Sequence, residues 1–374
     1  MTALTDIYEI GNFIDTFALG HYARVFDAVD LRTDQPYALK IMRPEHLTPD
    51  GVPKWEAEAF INEADLLMTL ADLPEVVNMY DCGYVSSGET YPSDGEIRTF
   101  GTDLNAFQEA FFPSLGEGWR PYLSLEPLPR HHNLLYVMKQ SGEGQRRRLP
   151  TEEGLSLALQ FGQMLYRAHE RDIVFLDHKL EHVYWDGETL RVIDWNSSKR
   201  VGGSGQSAGQ QRINDLHNLC VGILYPIFTG ASPQKGSLRP QPGSQREVEA
   251  RYEDVNQLDF GIEPTLSRPL TTLLERGAQK QIDSVTAFLG EVQRIAVRFG
   301  WSFAGQRSSD SLAAARDHAR AGLEKLRESQ EAARIAREHL LEAATLDGIN
   351  EDMEEELRRL LGKIGDYLNT RVIP

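Results

Sequence analysis

Cysteine is scarce in this sequence of 374 residues, where Cys82 and Cys220 are the only two. Two cysteines so far apart do not make a disulfide framework, which favours a reducing compartment, and we expect the protein in the cytoplasm. No group of cysteine and histidine residues has the spacing of a zinc site, so a structural zinc ion is not expected. The length is nevertheless sufficient to bury a large hydrophobic core.

Long apolar runs and positive charge are lacking as well. No apolar stretch is long enough to span a bilayer, and the N-terminus has no basic region followed by an apolar stretch, so no secretion signal is expected. Lys and Arg number 39 against 56 Asp and Glu, which gives a net charge of −17. This excess of negative charge disfavours bulk binding to nucleic acid or to anionic membranes.

The most informative stretch is 174–196, which reads VFLDHKLEHVYWDGETLRVIDWN. Its β-rich runs at 183–185 and 190–193 flank an Asp-Gly pair, and such a pair between β-rich runs predicts a tight hairpin. Asp177 would then lie on the loop that enters the hairpin, and Asp194 would lie just past its end.

Two carboxylates and one ammonium group, those of Asp177, Asp194 and Lys179, would therefore meet at one edge of a small sheet. Phosphoryl transfer needs such a set, with one Asp near the accepting hydroxyl, a Lys near the moving phosphate and a second Asp on the metal ion. The residues thus indicate phosphoryl transfer before any family is considered.

The same stretch resembles the catalytic core of the eukaryotic-like (bacterial Hanks-type) Ser/Thr protein kinases. Leu176-Asp177-His178-Lys179 stands where that family has Arg-Asp-x-Lys, and Asp194-Trp195-Asn196 stands where it has Asp-Phe-Gly. The resemblance implies an α+β, bilobal kinase-like fold in a divergent member, with a β-rich N-lobe and a mainly helical C-lobe. It also implies ATP and Mg²⁺ as the cofactors and a protein as the substrate.

The first part of the chain carries further resemblance. Tyr37-Ala38-Leu39-Lys40 is similar to the Val-Ala-Ile-Lys of the family's third strand. This implies that Lys40 holds the α- and β-phosphates of ATP and that Ala38 lies beside the nucleotide. A helix predicted over Trp55–Leu70 would carry Glu63, the family's partner for that lysine.

Other nucleotide contacts follow from the resemblance alone. Of the family's glycine-rich phosphate loop only Gly20 and the closing Val25 match, and a plain hairpin turn explains these two residues equally well. The stretch 122–129, which reads YLSLEPLP, resembles the family's fifth strand and hinge. There Leu125 would guard the back of the nucleotide pocket, and the backbone groups of Glu126 and Leu128 would hydrogen-bond the adenine.

The resemblance also assigns the catalytic and metal-binding roles. Asp177 would orient the accepting hydroxyl and take its proton, Lys179 would contact the γ-phosphate, and Asp194 would bind Mg²⁺. His182 stands where the family has a metal-binding Asn. Because neutral imidazole is a poor ligand for magnesium, one of the two metal sites is expected to be altered, with Mn²⁺ as an alternative metal. Asp215 would brace the backbone of the catalytic loop.

Two departures from the family leave three functions open. Leu176 replaces the Arg that reads a phosphorylated activation loop, and the segment 194–215 is short and lacks Ala-Pro-Glu. The chain could be a protein Ser/Thr kinase, a pseudokinase that signals through its tail, or a small-molecule phosphotransferase. The Asp-Trp pair at 194–195 is common in the last class, but Lys179 argues against it.

The predicted organisation has three parts, and several elements are specific enough to test. The parts are an N-lobe and hinge at 1–129 with a polar insertion at 86–118, a C-lobe at 130–300, and a helical hairpin or coiled-coil tail at 301–374. The tail would either form a homodimer or bind a partner through 310–368, or dock on the C-lobe. The other predicted elements are strands over Phe13–Ala18, Tyr22–Asp30 and Tyr37–Arg43, a linker over 197–211, a kink at Pro226, and helices over Thr151–Glu170, Glu247–Leu258, Leu266–Arg276, Ser284–Phe299, Asp310–Ala344 and Asn350–Leu368.

Overall fold

The computed structural model describes most of the chain, and its fold class is α+β as predicted. An antiparallel sheet occupies the N-terminal part, and helices dominate the C-terminal part. No helix in the described ranges is long and apolar enough to cross a bilayer. The bilobal kinase architecture and its boundaries at 129 and 300 stay predictions. The described residues are 2–14, 23–48, 52–86, 88–89, 91–92, 94–139, 146–202, 205–233, 244–301, 310–345 and 350–369.

Seven strands pair antiparallel in the order β1-β6-β5-β7-β4-β3-β2. Strand β4 therefore lies inside the sheet, between β3 and β7, and alternate residues face opposite sides. Ala38 and Met42 face the larger core with Lys40 between them, whereas Leu39 and Ile41 face a second apolar cluster. This position explains why the lysine is buried. The strands are β1 (Thr2–Ala3), β2 (Tyr8–Phe13), β3 (Ala23–Asp30), β4 (Gln35–Met42), β5 (Met79–Val85), β6 (Glu96–Thr99) and β7 (Arg120–Leu125).

The first long strand begins earlier than the sequence indicates. The predicted start at Phe13 is wrong, because β2 begins at Tyr8 and its residues Tyr8–Ile10 pair with β3. Tyr8 anchors it, since the ring is buried and its hydroxyl donates to the buried Asp81 carboxylate at 2.9 Å. That contact joins residues far apart in the sequence. The rest of the predicted strand, 15–18, lies outside the described residues.

Helix α1 (Trp55–Thr69) has nearly the predicted bounds. Its buried face carries Phe60, Leu66 and Leu67 against the main core, and Glu63 lies on the same face with no exposed area. A carboxylate buried among apolar side chains requires a partner charge or several hydrogen bonds.

The described part of the insertion at 86–118 folds against the sheet. It contributes β6 and the short helices α2 (Leu104–Glu109) and α3 (Phe111–Gly116). Phe107 and Phe111 are buried, and the Tyr84 hydroxyl donates to the Phe107 carbonyl oxygen at 2.7 Å. Phe112 does not take part in this packing, because 64% of its surface is exposed.

The helices of the second half surround a helix of predicted length, α5 (Thr151–Glu170). Pro150 occupies the N-cap position of this helix, and Thr151 is the first helical residue. Glu152 and Glu153 lie in the first turn, where negative charge is favourable. The other elements are α4 (Leu134–Val137), the strand pairs β8 (Ile173–Val174) with β11 (Lys199–Arg200) and β9 (Val183–Trp185) with β10 (Leu190–Val192), α6 (Gln206–Asn218), α7 (Tyr225–Thr229), α8 (Gln245–Glu249), α9 (Arg268–Ala278) and α10 (Val285–Arg298).

The predicted linker at 197–211 is wrong over its second part, because α6 begins at Gln206. Its Gly- and Ser-rich composition is typical of linkers, yet Ala208 is buried in a small cluster with Val174, Leu176 and Val201. Tertiary packing therefore overrides the weak local helix preference of this segment.

The kink at Pro226 stays a prediction, but a π-helical segment, Leu219–Leu224, lies just before this residue, between α6 and α7. Proline has no N–H to donate and its ring clashes with the carbonyl four residues earlier, so the wider π turn avoids that clash. Farther on, α8 ends at Glu249, well short of the predicted Leu258, while α9 and α10 lie within two residues of their predicted bounds.

The tail forms two helices, α11 (Asp310–Ala343) and α12 (Glu351–Asn369), which pair as an antiparallel hairpin. The hydroxyls of Ser329 and Tyr367 hydrogen-bond at 2.8 Å, although they lie on different helices. The hairpin also contacts the body of the protein, where Arg327 forms an ion pair with Glu153 of α5. Dimerisation or partner binding through 310–368 stays a prediction.

Candidate active site

The hairpin at the site has the predicted geometry. Strands β9 and β10 pair in register, with Val183 opposite Val192. In the turn, the Asp186 carboxylate accepts from the backbone N–H groups of Glu188 and Thr189, and Gly187 has a φ of 104°. This positive φ is easily adopted by glycine and explains the Asp-Gly pair.

Two site residues have left-handed backbone conformations, Leu176 with a φ of 67° and Asp194 with a φ of 66°. Such conformations are unfavourable for residues with a Cβ and persist only where surrounding contacts enforce them. At Leu176 the backbone N–H donates to the buried Asp215 carboxylate at 2.7 Å, and its carbonyl accepts from the Asn218 side chain at 3.0 Å. The backbone just before Asp177 is therefore held from both sides.

Asp215 lies where the brace was predicted. It has no exposed area, and its carboxylate accepts from the backbone N–H groups of Phe175 and Leu176 and pairs with the His169 ring at 2.9 Å. Burial by itself raises the pKa of the Asp215 carboxyl, but the His169 hydrogen bond and the nearby histidines outweigh it and lower that pKa below its ordinary value. His169 is a buried partner of this carboxylate, as its position on the buried face of α5 suggested.

Lys40 forms the centre of a charged triad in which Lys40 and Glu63 are buried and Asp194 is partly exposed. Its Nζ lies 2.7 Å from Glu63 Oε2 and 2.6 Å from Asp194 Oδ1, so it joins strand β4, helix α1 and the loop after β10. Burial lowers the pKa of the Lys40 ammonium, but the two carboxylates outweigh this effect and raise that pKa above its usual value. Burial raises the pKa of the Glu63 carboxyl, and Lys40 opposes that change.

Asp177 is enclosed by cations. Lys179 Nζ lies 2.9 Å from its Oδ2, and Arg251 lies 3.2 Å from its Oδ1. The residue is only 3% exposed. Burial raises the pKa of the Asp177 carboxyl, but the charges of Lys179, His182 and Arg251 together hold that pKa below its ordinary value.

His182 connects the two aspartates. Its Nδ1 lies 3.0 Å from the Asp177 backbone carbonyl oxygen, and its Nε2 lies 3.0 Å from Asp194 Oδ2. Both neighbours are acceptors, so the ring satisfies both contacts only as an imidazolium that donates from each nitrogen. Burial and Lys179 lower the pKa of His182, but the two carboxylates outweigh them and raise it.

The donor set fits one magnesium ion better than two. One potential ligand atom each from Asp177, His182 and Asp194 lies within 4.8 Å of the others. Magnesium prefers hard oxygen ligands and is usually held by one or two carboxylates together with substrate phosphates, which suits Asp194. An imidazolium cannot ligate a metal ion, so His182 in this arrangement does not fit a second magnesium site.

Comparison with known proteins gives a partial match. The chain is similar to the eye isozyme of protein kinase C from Drosophila melanogaster, with 23% identity over 189 residues. The match covers 50% of this chain and 21% of that protein, so it spans about a fifth of the relative's length. No family model matches the chain. The similarity supports a distant relationship to the protein kinases.

The residues expected around a nucleotide lie near Lys40 where they are described. Val25 is opposite Lys40 across β3 and β4, and Ala38 is opposite Leu125 across β4 and β7, so all of these residues belong to adjoining strands. Leu128 follows β7 and packs partly buried against the main core. Gly20 of the expected phosphate loop lies outside the described residues.

Both the backbone and the side chain of Glu126 make contacts beyond the adenine hydrogen bond predicted for its backbone. Its backbone N–H donates to the Asn78 carbonyl oxygen at 2.9 Å, so only its carbonyl would serve an adenine base. Its carboxylate pairs with Arg191 of β10 and accepts from the Asn78 side chain. The residue that follows β7 is thereby connected to β10.

Sequence reasoning missed three polar contributors to the site. Arg251 contacts Asp177 from a segment far along the chain, and no local pattern indicates this contact. The Asn62 side chain donates to the carbonyl oxygens of Asn196 and Ser198, at 3.1 and 2.7 Å. The Asn196 side chain donates to the carboxylate of Asp194, the residue with the left-handed backbone.

Proposed function

We propose that this chain is an ATP-dependent protein kinase that transfers the γ-phosphate of ATP to a Ser or Thr hydroxyl. The observation that carries this proposal is the triad in which the buried Lys40 bridges the buried Glu63 and the partly exposed Asp194. Burying a charged lysine costs free energy, which favours a functional role for Lys40. An ammonium beside a carboxylate that could bind a metal ion suits a bound polyphosphate. The distant similarity to protein kinase C supports the same class of reaction.

The proposed mechanism assigns each charge a task. Lys40, oriented by Glu63, binds the α- and β-phosphates, and Lys179 stabilises the charge on the γ-phosphoryl group. Asp177 accepts the proton of the acceptor hydroxyl, whose oxygen forms a bond to the γ-phosphorus while the bond to the β,γ-bridging oxygen breaks and ADP leaves. Asp194 would hold a magnesium ion, which when bound neutralises phosphate charge.

The experiment that tests this proposal is transfer of labelled γ-phosphate from ATP. Wild type and Asp194→Ala are compared with Mg²⁺ and with Mn²⁺, using a generic basic protein substrate and the protein itself. We expect label in wild type that disappears in Asp194→Ala. A wild type that incorporates no label with either metal would contradict the proposal.

A second function, a nucleotide-binding scaffold without turnover, is favoured by one specific observation. Asp177 is almost fully buried, and its two carboxylate oxygens lie close to Lys179 and Arg251. A general base has to come within hydrogen-bond distance of the hydroxyl that it deprotonates. Stabilisation of wild type by ATP without any transfer of label would identify the scaffold function.

Replacement of Asp177 by Asn tests the assignment of this residue as the general base. Because general-base catalysis contributes about 10²–10⁴-fold to rate, we expect kcat for phosphate transfer to fall by at least about 10²-fold. Affinity for ATP should remain, since Asp177 contacts the acceptor in the proposed mechanism. Transfer rates are measured with saturating ATP, and affinity by titration calorimetry. A variant with unchanged kcat would exclude Asp177 as the base.

Replacement of His182 by Asn tests the altered metal site. Asn offers a hard carbonyl oxygen in place of an imidazolium, so magnesium should bind more readily beside Asp194. We expect the Mg²⁺ concentration for half-maximal transfer to fall by about tenfold. Metal titrations of the transfer rate measure this shift, and an unchanged or higher requirement would show that residue 182 lies outside the metal site.

A further inference from the structure

The acceptor side of Asp177 is covered by a segment of this chain. We call residues 244–252, which comprise α8 and the turn that follows it, the acceptor wall. The Gln245 side chain donates to the Ser197 carbonyl oxygen at 2.7 Å, and Lys199 Nζ pairs with Glu249 Oε1 at 2.5 Å. The wall is thus attached to the short segment that follows Asp194.

The far end of the acceptor wall is fixed to the catalytic loop itself. The Tyr252 hydroxyl donates to the His178 carbonyl oxygen at 2.8 Å, and the ring is buried. It lies so close to Gly222 that a Cβ added there would come within 2.7 Å of the ring. Arg251, next to this anchor, is therefore held at the catalytic loop by well-packed contacts of its neighbour.

Arg251 lies where an acceptor hydroxyl has to approach. Its guanidinium is 3.2 Å from Asp177 Oδ1, while Lys179 is 2.9 Å from Oδ2. A hydroxyl must come within about 2.6–3.2 Å of a carboxylate oxygen to transfer its proton. Because Lys179 serves the phosphate in the proposed mechanism, Oδ1 is the oxygen left for the acceptor, and Arg251 has to move from it.

Moving Arg251 away from Asp177 costs free energy, and this cost depends on the chemistry of the acceptor. Separating a guanidinium from a buried carboxylate is strongly unfavourable unless another anion replaces the lost partner. Carboxylates and phosphates match the planar guanidinium and can accept two hydrogen bonds from it. An acceptor with such a group beside its hydroxyl would take over Arg251 and expose Oδ1 in one step.

We propose that Arg251 is a specificity-determining residue that selects Ser/Thr acceptor peptides with an anionic group next to the hydroxyl. This inference rests on the proposed function, because it concerns the acceptor of that same reaction. Carboxylate and phosphate neighbours share the required chemistry and are separated by the experiment.

The experiment compares three peptides that differ only beside a single Ser, where they carry Glu, phosphothreonine or Gln. Wild type, Arg251→Gln, Arg251→Lys and the control Arg246→Gln are assayed for kcat/KM. Arg246 is exposed on α8, five residues before Arg251, so the control removes an equal charge away from Asp177. We expect wild type and control to prefer either anionic peptide over the Gln peptide by about tenfold.

In Arg251→Gln the preference for anionic peptides should fall to within about twofold, partly because kcat/KM for the Gln peptide rises once Asp177 Oδ1 is accessible. Arg251→Lys should keep part of the preference, because the positive charge remains. Of the Glu and phosphothreonine peptides, the one with the higher kcat/KM in wild type identifies the favoured anion. Equal preference in wild type and Arg251→Gln overturns the proposal. If wild type labels none of the peptides, the proposed function itself fails, and this inference fails with it.

A second readout does not require turnover. Carboxyl groups are coupled to glycine ethyl ester with a carbodiimide, and modification of Asp177 is measured by mass spectrometry without ATP. We expect protection in wild type and Arg246→Gln, because Asp177 is only 3% exposed, and modification in Arg251→Gln. Equal modification in all three proteins would show that Arg251 does not restrict access, independently of phosphate transfer.

Discussion

Replacement of Lys40 by Met is expected to lower the free energy of unfolding by about 3–5 kcal/mol. The ammonium lies between Glu63 and Asp194, and Glu63 has no exposed area. Removing the cation leaves two carboxylates close together without their partner, and a buried unpaired charge is among the costliest defects in a folded protein. Denaturant unfolding near neutral pH measures the loss.

A double variant separates the role of Lys40 in stability from its role in binding ATP. Lys40→Met with Glu63→Gln removes the unpaired buried charge, so much of the lost stability should return, whereas stabilisation by ATP should stay absent. Lys54→Met serves as the control, because that lysine is exposed. A single Lys40→Met variant that matches wild type in both stability and ATP response would show that the triad matters for neither.

Replacement of Asp215 by Asn is expected to cost about 3 kcal/mol of stability and to remove phosphate transfer. One carboxylate oxygen accepts from Phe175 N–H and the His169 ring, and the other accepts from Leu176 N–H. An Asn side chain would direct its own N–H donors at one of these donors. Leu176 would lose the support for its left-handed backbone, which positions Asp177.

The pH dependence of stability provides a check on Asp215. Its pKa is lower in the folded protein than in the unfolded chain, so its contribution is complete above about pH 4 and is lost as pH falls through the folded pKa. The stability difference between wild type and Asp215→Asn should therefore be constant near neutral pH and decrease below about pH 4. Asp352→Asn, at an exposed position, should show no such difference. A difference that grows on acidification would contradict the assignment.

The sequence predicted best those features that depend on local patterns. The hairpin around Asp186-Gly187, helix α1 and helix α5 have the expected bounds, because turn chemistry and apolar periodicity act within a few residues. The pairing of Lys40 with Glu63 followed from the resemblance to the kinases, and the two side chains are indeed in contact.

The features that the sequence did not predict depend on contacts between distant segments. Strand β2 is anchored by Tyr8 at Asp81, and Ala208 makes α6 begin inside an apparent linker by packing with Val174 and Val201. Arg251 reaches Asp177 because α8 folds back over the loop after Asp194. No local propensity records such contacts, since each partner is compatible with many positions of the other.

The two hydrogen bonds from Asn62 couple the motion of helix α1 to that of the segment after Asp194. They attach the helix to the carbonyl oxygens of Asn196 and Ser198, and Arg200 of the same segment pairs with Asp65 one turn along α1. Any displacement of α1 that separated Glu63 from Lys40 would therefore pull this segment with it. The helix and the segment should therefore move together as one rigid unit, and their backbone amides should exchange hydrogen with correlated rates.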